Sequence, residues 1–243
     1  MADRKLLLFS AVLVIGGEVV YGTAQVFHAE SGTTAPEVFA SYANSPIWTI
    51  VHEFQFAGSA IVLFGILALF FALNVSSGIR GLLNRFAAAS AVAALAPNGV
   101  LYGVDGVALK QAVDAWVSAP ASQQPAFYAV VQGIRGVEWG MRSYVEFATG
   151  LTLVLFSVVI VSTRRISRPI GYTMGLSGLI YIAHGYGWGT GYTSISERFF
   201  VNPLYDHFLI AVWSIWLLVS AWRMKEPVQV GENGGANLQI SET

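Results

Sequence analysis

The sequence predicts an all-α, polytopic membrane protein, a bundle of about six transmembrane helices with both termini in the cytoplasm. Three observations predict this fold. Of the 243 residues, 55% are hydrophobic and only 11% are charged, whereas soluble domains carry about 25% charged residues. Six apolar runs are each long enough to cross a hydrocarbon core of about 30 Å. Basic residues gather in alternate loops, which sets an orientation.

The six apolar runs define a single transmembrane domain over residues 1–225. The second and fourth runs are longer than a bilayer requires, so we expect their ends to project from it. Residues 226–243 are rich in Gly, Asn and Glu, which predicts a disordered cytoplasmic tail. The predicted spans are 6–27, 46–73, 86–104, 128–161, 169–188 and 203–222.

The distribution of basic residues predicts which side of the membrane each loop faces. By the positive-inside rule, the loops that hold them and both termini face the cytoplasm, in a prokaryotic cytoplasmic membrane. An alternative remains for the first span, because its basic start and residues 22–24 also fit a cleaved signal peptide, which would leave five spans. Most of the 13 Lys and Arg residues lie at 4–5, 80–85, 164–168 and 223–225.

Composition and missing motifs exclude several classes of function. The chain has no cysteine, which excludes disulfides, thiolate metal sites and iron–sulfur clusters. A net charge of -1 without a basic patch gives no support for nucleic-acid binding. No phosphate-binding loop or dinucleotide fingerprint supports nucleotide binding, and no nucleophile elbow is present.

Two segments carry a family resemblance. Residues 105–120, DGVALKQAVDAWVSAP, are predicted to form a short amphipathic helix on the outer membrane surface. Together with RGVEWGMRSYVEF at 135–147, they resemble a family of uncharacterised prokaryotic multi-span integral membrane proteins. The resemblance implies an integral membrane protein of about this size, and it implies no activity, cofactor or site.

Polar residues recur inside the apolar runs, where an ionisable group costs on the order of 2.5–3.5 kcal/mol on insertion scales. The depth of each group in the bilayer follows from its distance along the helix from the cytoplasmic basic residues of its span, at about 1.5 Å per residue. Every span then contributes a polar group at one level, in the outer third of the bilayer. This predicts a polar site between the helices that faces outward. The groups are Glu18, His52, Asn98, Glu146, His184 and His207.

The histidines and carboxylates at this level predict a metal site. Imidazole suits zinc, copper and iron, and carboxylates suit harder ions. A metal there would activate water or dioxygen for redox or hydrolytic chemistry on a lipid-soluble substrate. The predicted metal ligands are His52, His184, His207, Glu18, Glu53, Glu146 and Asp206.

A b-type haem is the alternative cofactor. His52 and His184 have similar depths and would be its axial ligands. The glycines that follow His184, in GYGWGTGY, would let a flat macrocycle approach the backbone, or would form a flexible exit loop. His28 lies in a loop next to Glu30, and we expect it to have no role as a ligand.

Four charged residues of the fourth span share one helical face. Their i,i+3 and i,i+4 spacings predict structural ion pairs. We expect the first pair to be exposed where the helix leaves the membrane, since exposed ion pairs are common there. The residues are Arg135, Glu138, Arg142 and Glu146.

Two non-catalytic functions stay open at this point. The polar groups in the outer third of the bilayer, which we call the polar belt, would conduct ions in a transporter-like protein. The cytoplasmic half of the bundle is apolar, however, which favours a pocket open to one side. The chain would otherwise be a subunit of an oligomer or larger membrane complex. Small-residue spacings such as Gly136–Gly140 and Gly171–Gly175 allow the close helix contacts that either arrangement needs.

Overall fold

The computed structural model describes residues 2–190 and 204–224, with side chains from 207 onward in the second stretch. All regular structure in these residues is helical, which confirms the all-α prediction. The predicted tail at 226–243 lies outside them. The long helices are α1 (Arg4–Val26), α3 (Trp48–Leu73), α4 (Gly78–Gly103), α6 (Gln124–Thr163), α7 (Arg168–Thr190) and α8 (Leu204–Arg223). Shorter elements are α2 (Ala35–Ala43), a π-helical segment (Val104–Leu109) and α5 (Lys110–Ser118).

Within residues 2–190 and 204–224, four helical stretches are long and apolar enough to cross a membrane, with mean hydropathies of 1.4 to 2.5. They are α1, α3, the continuous stretch Gly78–Ser118, and α6. Helix α7 has 23 residues, and α8 contains a shorter apolar stretch, His207–Arg223. Each predicted apolar run falls on one of the six long helices described, so the chain has the helices of a membrane protein.

Tight turns and side-chain caps join the helices at one end of the bundle. Asn74 and Arg164 adopt left-handed conformations, with φ of 48° and 54°, and so end α3 and α6. Arg165 donates hydrogen bonds to the carbonyls of Leu73 and Asn74, at 2.7 and 2.9 Å. The Arg4 side chain donates to the Ala221 carbonyl of α8 at 3.2 Å. We call this end of the bundle the basic end.

The six long helices close into a ring, because each packs against two neighbours in the order α1, α3, α4, α6, α7, α8 and back to α1. Glycines bring two of these pairs into backbone contact. A Cβ added at Gly17 would lie 2.6 Å from the Gly58 carbonyl oxygen, between α1 and α3. A Cβ added at Gly150 would lie 2.5 Å from the Gly178 carbonyl oxygen, between α6 and α7.

The interior of the ring differs between its two ends. Toward the basic end, fully buried apolar side chains from all six long helices fill the centre, among them Leu7, Leu69, Phe156, Trp213 and Leu217. At the opposite end, which we call the capped end, α2 and α5 pack together with Trp48 and Val131 over a second apolar cluster. The ring is therefore closed at the basic end, and its polar interior lies toward the capped end.

Candidate functional site

The junction between α4 and α5 turns a carboxylate into the ring. Residues Val104–Leu109 form a π-helical segment, a feature that often marks functional sites. Asp105 lies in this segment and is only 1% exposed. The prediction of a short helix at 105–120 is confirmed for α5, while the first residue of that segment, Asp105, is buried inside the protein.

Helix α3 and loop residue His28 approach this carboxylate. The Nδ1–H of His52 donates to the Trp48 carbonyl at 2.8 Å, so a neutral His52 ring has its lone pair on Nε2. His52 Nε2 lies 3.3 Å from Asp105 Oδ2. The rings of His28 and His52 have centroids 5.1 Å apart. One ligand atom from each of these three residues lies within 4.8 Å of the other two.

Local packing holds the π-helical segment against α3. The indole N–H of Trp48 donates to the Asp105 carbonyl at 2.9 Å, and the Thr49 hydroxyl donates to the Gly106 carbonyl at 2.8 Å. A Cβ at Gly106 would lie 2.5 Å from the Cβ of His52. Only glycine therefore lets Asp105 and His52 come this close.

Two arginines of α6 complete a buried ion network. Arg135 and Arg142 lie 3.4 and 3.3 Å from the Asp105 carboxylate, and 3.1 and 2.7 Å from that of Glu138. Two guanidinium groups thus face two carboxylates. Glu138 is 0% exposed, so the expectation of an exposed Arg135–Glu138 pair is corrected: this pair belongs to the protein interior. Glu146 faces α7 instead of Arg142.

Two further histidines each face a carboxylate from another helix. His184 of α7 lies 3.4 Å from Glu146 of α6, and His207 of α8 lies 2.8 Å from Glu18 of α1. The ring of Tyr21 stacks on His207, with centroids 4.9 Å apart. The histidines that the sequence predicted as ligands are therefore distributed over separate His–carboxylate pairs.

A cavity of about 1040 Å³ occupies the ring between these groups. Its polar lining, toward the capped end, includes Glu18, Asn98, Arg142, Glu146, His184 and His207. Its apolar lining, toward the basic end, includes Val62, Leu63, Ile66, Leu153 and Ile210. Most of the polar belt predicted from depth thus meets at one cavity, and His52 reaches it through its contact with Asp105.

The structure leaves two predicted ligands outside this arrangement. Glu53 is exposed on the outer surface of α3, next to the exposed Phe54. The Asp206 side chain lies outside the described residues. Conversely, sequence reasoning missed His28 and Asp105. Asp105 did leave a signal, since it is the one charged residue in the apolar stretch LYGVDGVAL at 101–109.

Gly185, Gly187 and Gly189 continue α7 to Thr190 and do not start a loop after His184, and Gly191 lies outside the described residues. Their role is packing against α6. A Cβ at Gly185 would lie 2.7 Å from the Ser143 carbonyl oxygen, and the Ser143 hydroxyl donates to the Gly185 carbonyl at 2.6 Å. Close packing of α7 on α6 sets the position of His184 beside Glu146.

Fold and site together define a helical protein that has the apolar helices of a membrane protein and a buried His/carboxylate group beside the cavity between them. No family model, curated protein or solved structure matches the chain. The function is therefore inferred from the chemistry of the site.

Acidification is expected to destabilise the protein through His28. Burial, aided by the neighbouring His52, lowers the pKa of His28 from 6.5 to about 4. As the pH falls, His28 is therefore protonated in the unfolded chain before it is protonated in the folded protein. The free energy of unfolding falls by at most about 3 kcal/mol between the two pKa values. Thermal unfolding in detergent and chelator, at pH 7 and pH 4.5, measures the effect. His28→Asn should show a smaller difference between the two; an unchanged difference would contradict the prediction.

Proposed function

We propose that the chain is an integral membrane protein that binds a first-row transition metal through His28, His52 and Asp105. The bound metal would serve redox or hydrolytic chemistry on a lipid-soluble substrate in the cavity. Two imidazoles and one carboxylate form the ligand set of non-haem iron sites and of hydrolytic zinc sites. Three protein ligands leave coordination positions open for water or substrate.

One distance carries this proposal. Metal–ligand distances of about 2.0–2.2 Å put neighbouring ligands of a tetrahedral site about 3.3–3.6 Å apart. His52 Nε2 and Asp105 Oδ2 are separated by 3.3 Å, which lies in this range. The Trp48 carbonyl, which accepts from Nδ1, would fix the tautomer that exposes the Nε2 lone pair to a metal.

The charges around the site are compatible with a cation. Arg135 and Arg142 are matched by Asp105 and Glu138, as described above. Among the described residues, the lining of the cavity carries four carboxylates and two guanidinium groups, an excess of negative charge that offsets the charge of a divalent ion. The carboxylates are Glu18, Glu30, Asp105 and Glu146.

We further propose that all six long helices span a prokaryotic cytoplasmic membrane, with both termini inside. The closed ring and the arginines at its basic end support this orientation, in which the cavity faces outward. The apolar filling toward the basic end argues against a conducting path. A haem held by His52 and His184 stays a prediction.

Metal analysis of protein purified in detergent tests the proposed site. Co²⁺ and Zn²⁺ titrations of the wild type should give about one ion per chain, and His52→Ala should weaken binding by about 100-fold. Glu53→Gln is the matched control, because Glu53 is the next residue on the same helix and faces outward. It should bind like the wild type. The site would be refuted if His52→Ala bound these ions as tightly as the wild type, or if the wild type did not bind them. A Soret band in protein that binds neither Co²⁺ nor Zn²⁺ would select haem.

A further inference from the structure

We infer that the cavity binds a neutral amphiphile with an oxygen-bearing ring as its head and a hydrocarbon chain as its tail, the chemistry of a lipid quinone or phenol. Its use as a substrate rests on the proposed function. Its binding does not, because the groups that would hold it are separate from the metal ligands.

The lining of the cavity changes from polar to apolar along the ring axis. On α3, the lining runs from Gln55 to Ile66, eleven residues or about 16 Å. On α6, the polar-to-apolar change from Arg142 to Leu153 also covers eleven residues and about 16 Å. The lining thus changes from polar to apolar in the same direction on two separate helices of the ring. An amphiphile would lie with its head toward the capped end.

A buried donor marks the position of the head. Asn98 of α4 lines the cavity, is 2% exposed, and its side-chain Nδ2 has no hydrogen-bond partner among the described residues. An unsatisfied buried donor costs about 1–3 kcal/mol. An oxygen acceptor on a bound molecule would remove this cost, whereas a pure hydrocarbon would not.

The hydroxyl groups near Asn98 supply sites for a second oxygen. The Tyr102 hydroxyl, one helical turn beyond Asn98, lies 3.4 Å from the Ser59 hydroxyl. Tyr21 of α1 also lines the cavity. A head with oxygens on both sides of a ring would engage Asn98 and these hydroxyls together.

The charge pattern favours a neutral head. Arg142 is bound by both Asp105 and Glu138. Glu18 and Glu146 each face a histidine. An anionic or cationic head would compete with these pairs and disturb them, while a neutral head needs only the unsatisfied amide donor of Asn98.

Aromatic side chains favour a planar head. Rings of α1, α4, α6 and α7 line the cavity at the polar level, where offset or edge contacts with a flat ring are favourable. A quinone or phenol ring supplies such a surface, whereas the head of a fatty alcohol or fatty acid does not. The rings are those of Tyr21, Tyr102, Trp139, Tyr181 and Trp188.

Quenching of tryptophan fluorescence by decylubiquinone tests the inference, since Trp139 and Trp188 line the cavity. At fixed detergent concentration, the wild type should bind the quinone saturably. Oleic acid or decanol, added as competitors because they do not quench tryptophan, should displace the quinone only weakly. Asn98→Leu, which removes the donor, should bind at least about tenfold more weakly. Asn98→Ser, which keeps a hydroxyl donor, should bind more tightly than Asn98→Leu and more weakly than the wild type. If Asn98→Leu does not fold, the comparison of Asn98→Ser with the wild type tests the inference.

Two controls separate this inference from the metal proposal. Glu53→Gln lies outside the cavity and should bind the quinone like the wild type. His52→Ala should lose metal and keep quinone binding, so each proposal can fail alone. Non-saturable quenching, unchanged affinity in both Asn98 variants, or equal affinity for oleic acid or decanol would overturn the inference.

Discussion

Replacing Glu138 with glutamine is expected to destabilise the folded protein by about 3–5 kcal/mol. Glu138 is fully buried and contacts both Arg135 and Arg142, at 3.1 and 2.7 Å. Glutamine keeps the size of the side chain and removes its charge. Two guanidinium groups would then share Asp105 alone, and a charge in a low-dielectric interior would have no counterion. Thermal unfolding in detergent measures the loss.

A double variant separates uncompensated charge from general disruption of packing. Glu138→Gln combined with Arg142→Met removes one charge of each sign, so it should be more stable than Glu138→Gln alone. If the losses of stability caused by the two single substitutions instead add in the double variant, packing and not charge dominates at this position. A Glu138→Gln variant that melts with the wild type would show that the network contributes little to stability.

The long helices of the ring were predictable because length and hydropathy determine them locally. Each apolar run in the sequence corresponds to a long helix, within a few residues for most boundaries. Helix α2 was not predicted, since it lies between the apolar runs. Its start was nevertheless visible, because Thr34 and Glu37 have capping-box spacing and form that box in the structure.

Depth along a helix predicted the level of the site but not its partners. Counting residues brings Glu18, Glu146 and His184 to one level, and all three line the cavity. Which histidine meets which carboxylate depends on the order of helices around the ring, and that order is set by tertiary packing. Rotation matters equally: consecutive residues differ by about 100° around a helix, so His52 faces inward and Glu53 faces outward.

The position of Asp105 depends on backbone geometry that hydropathy does not report. A π-helical turn holds more residues than an α-helical one and rotates the following side chains to a new direction. Asp105 lies in such a segment and so faces the ring interior. Its hydrogen-bonded neighbour Trp48 and the small Gly106 stabilise that geometry through contacts with α3. Sequence periodicity alone predicts a surface position.

Replacing Asp105 with asparagine is expected to remove the stabilisation that a bound metal provides. A ligand at about 100 times its dissociation constant stabilises the folded state by about 2.7 kcal/mol. Asparagine lacks the anionic oxygen that would bind the metal with His28 and His52, so unfolding of this variant should not respond to Zn²⁺. Thermal unfolding of each variant, with and without Zn²⁺, measures this increment directly.

The increment is a difference within each variant, so it is independent of the baseline cost of weakening the Asp105 contacts with Arg135 and Arg142. Asp114→Asn is the matched control, because the Asp114 side chain is 49% exposed on α5 and pairs with Lys110 instead of with the proposed metal ligands. It should keep the full Zn²⁺ increment. If Asp105→Asn also keeps it, the ion binds elsewhere, and His184 with Glu146 or His207 with Glu18 becomes the next pair to substitute. If Zn²⁺ does not stabilise the wild type, the ion binds the folded protein no better than the unfolded chain, and the proposed metal site is refuted.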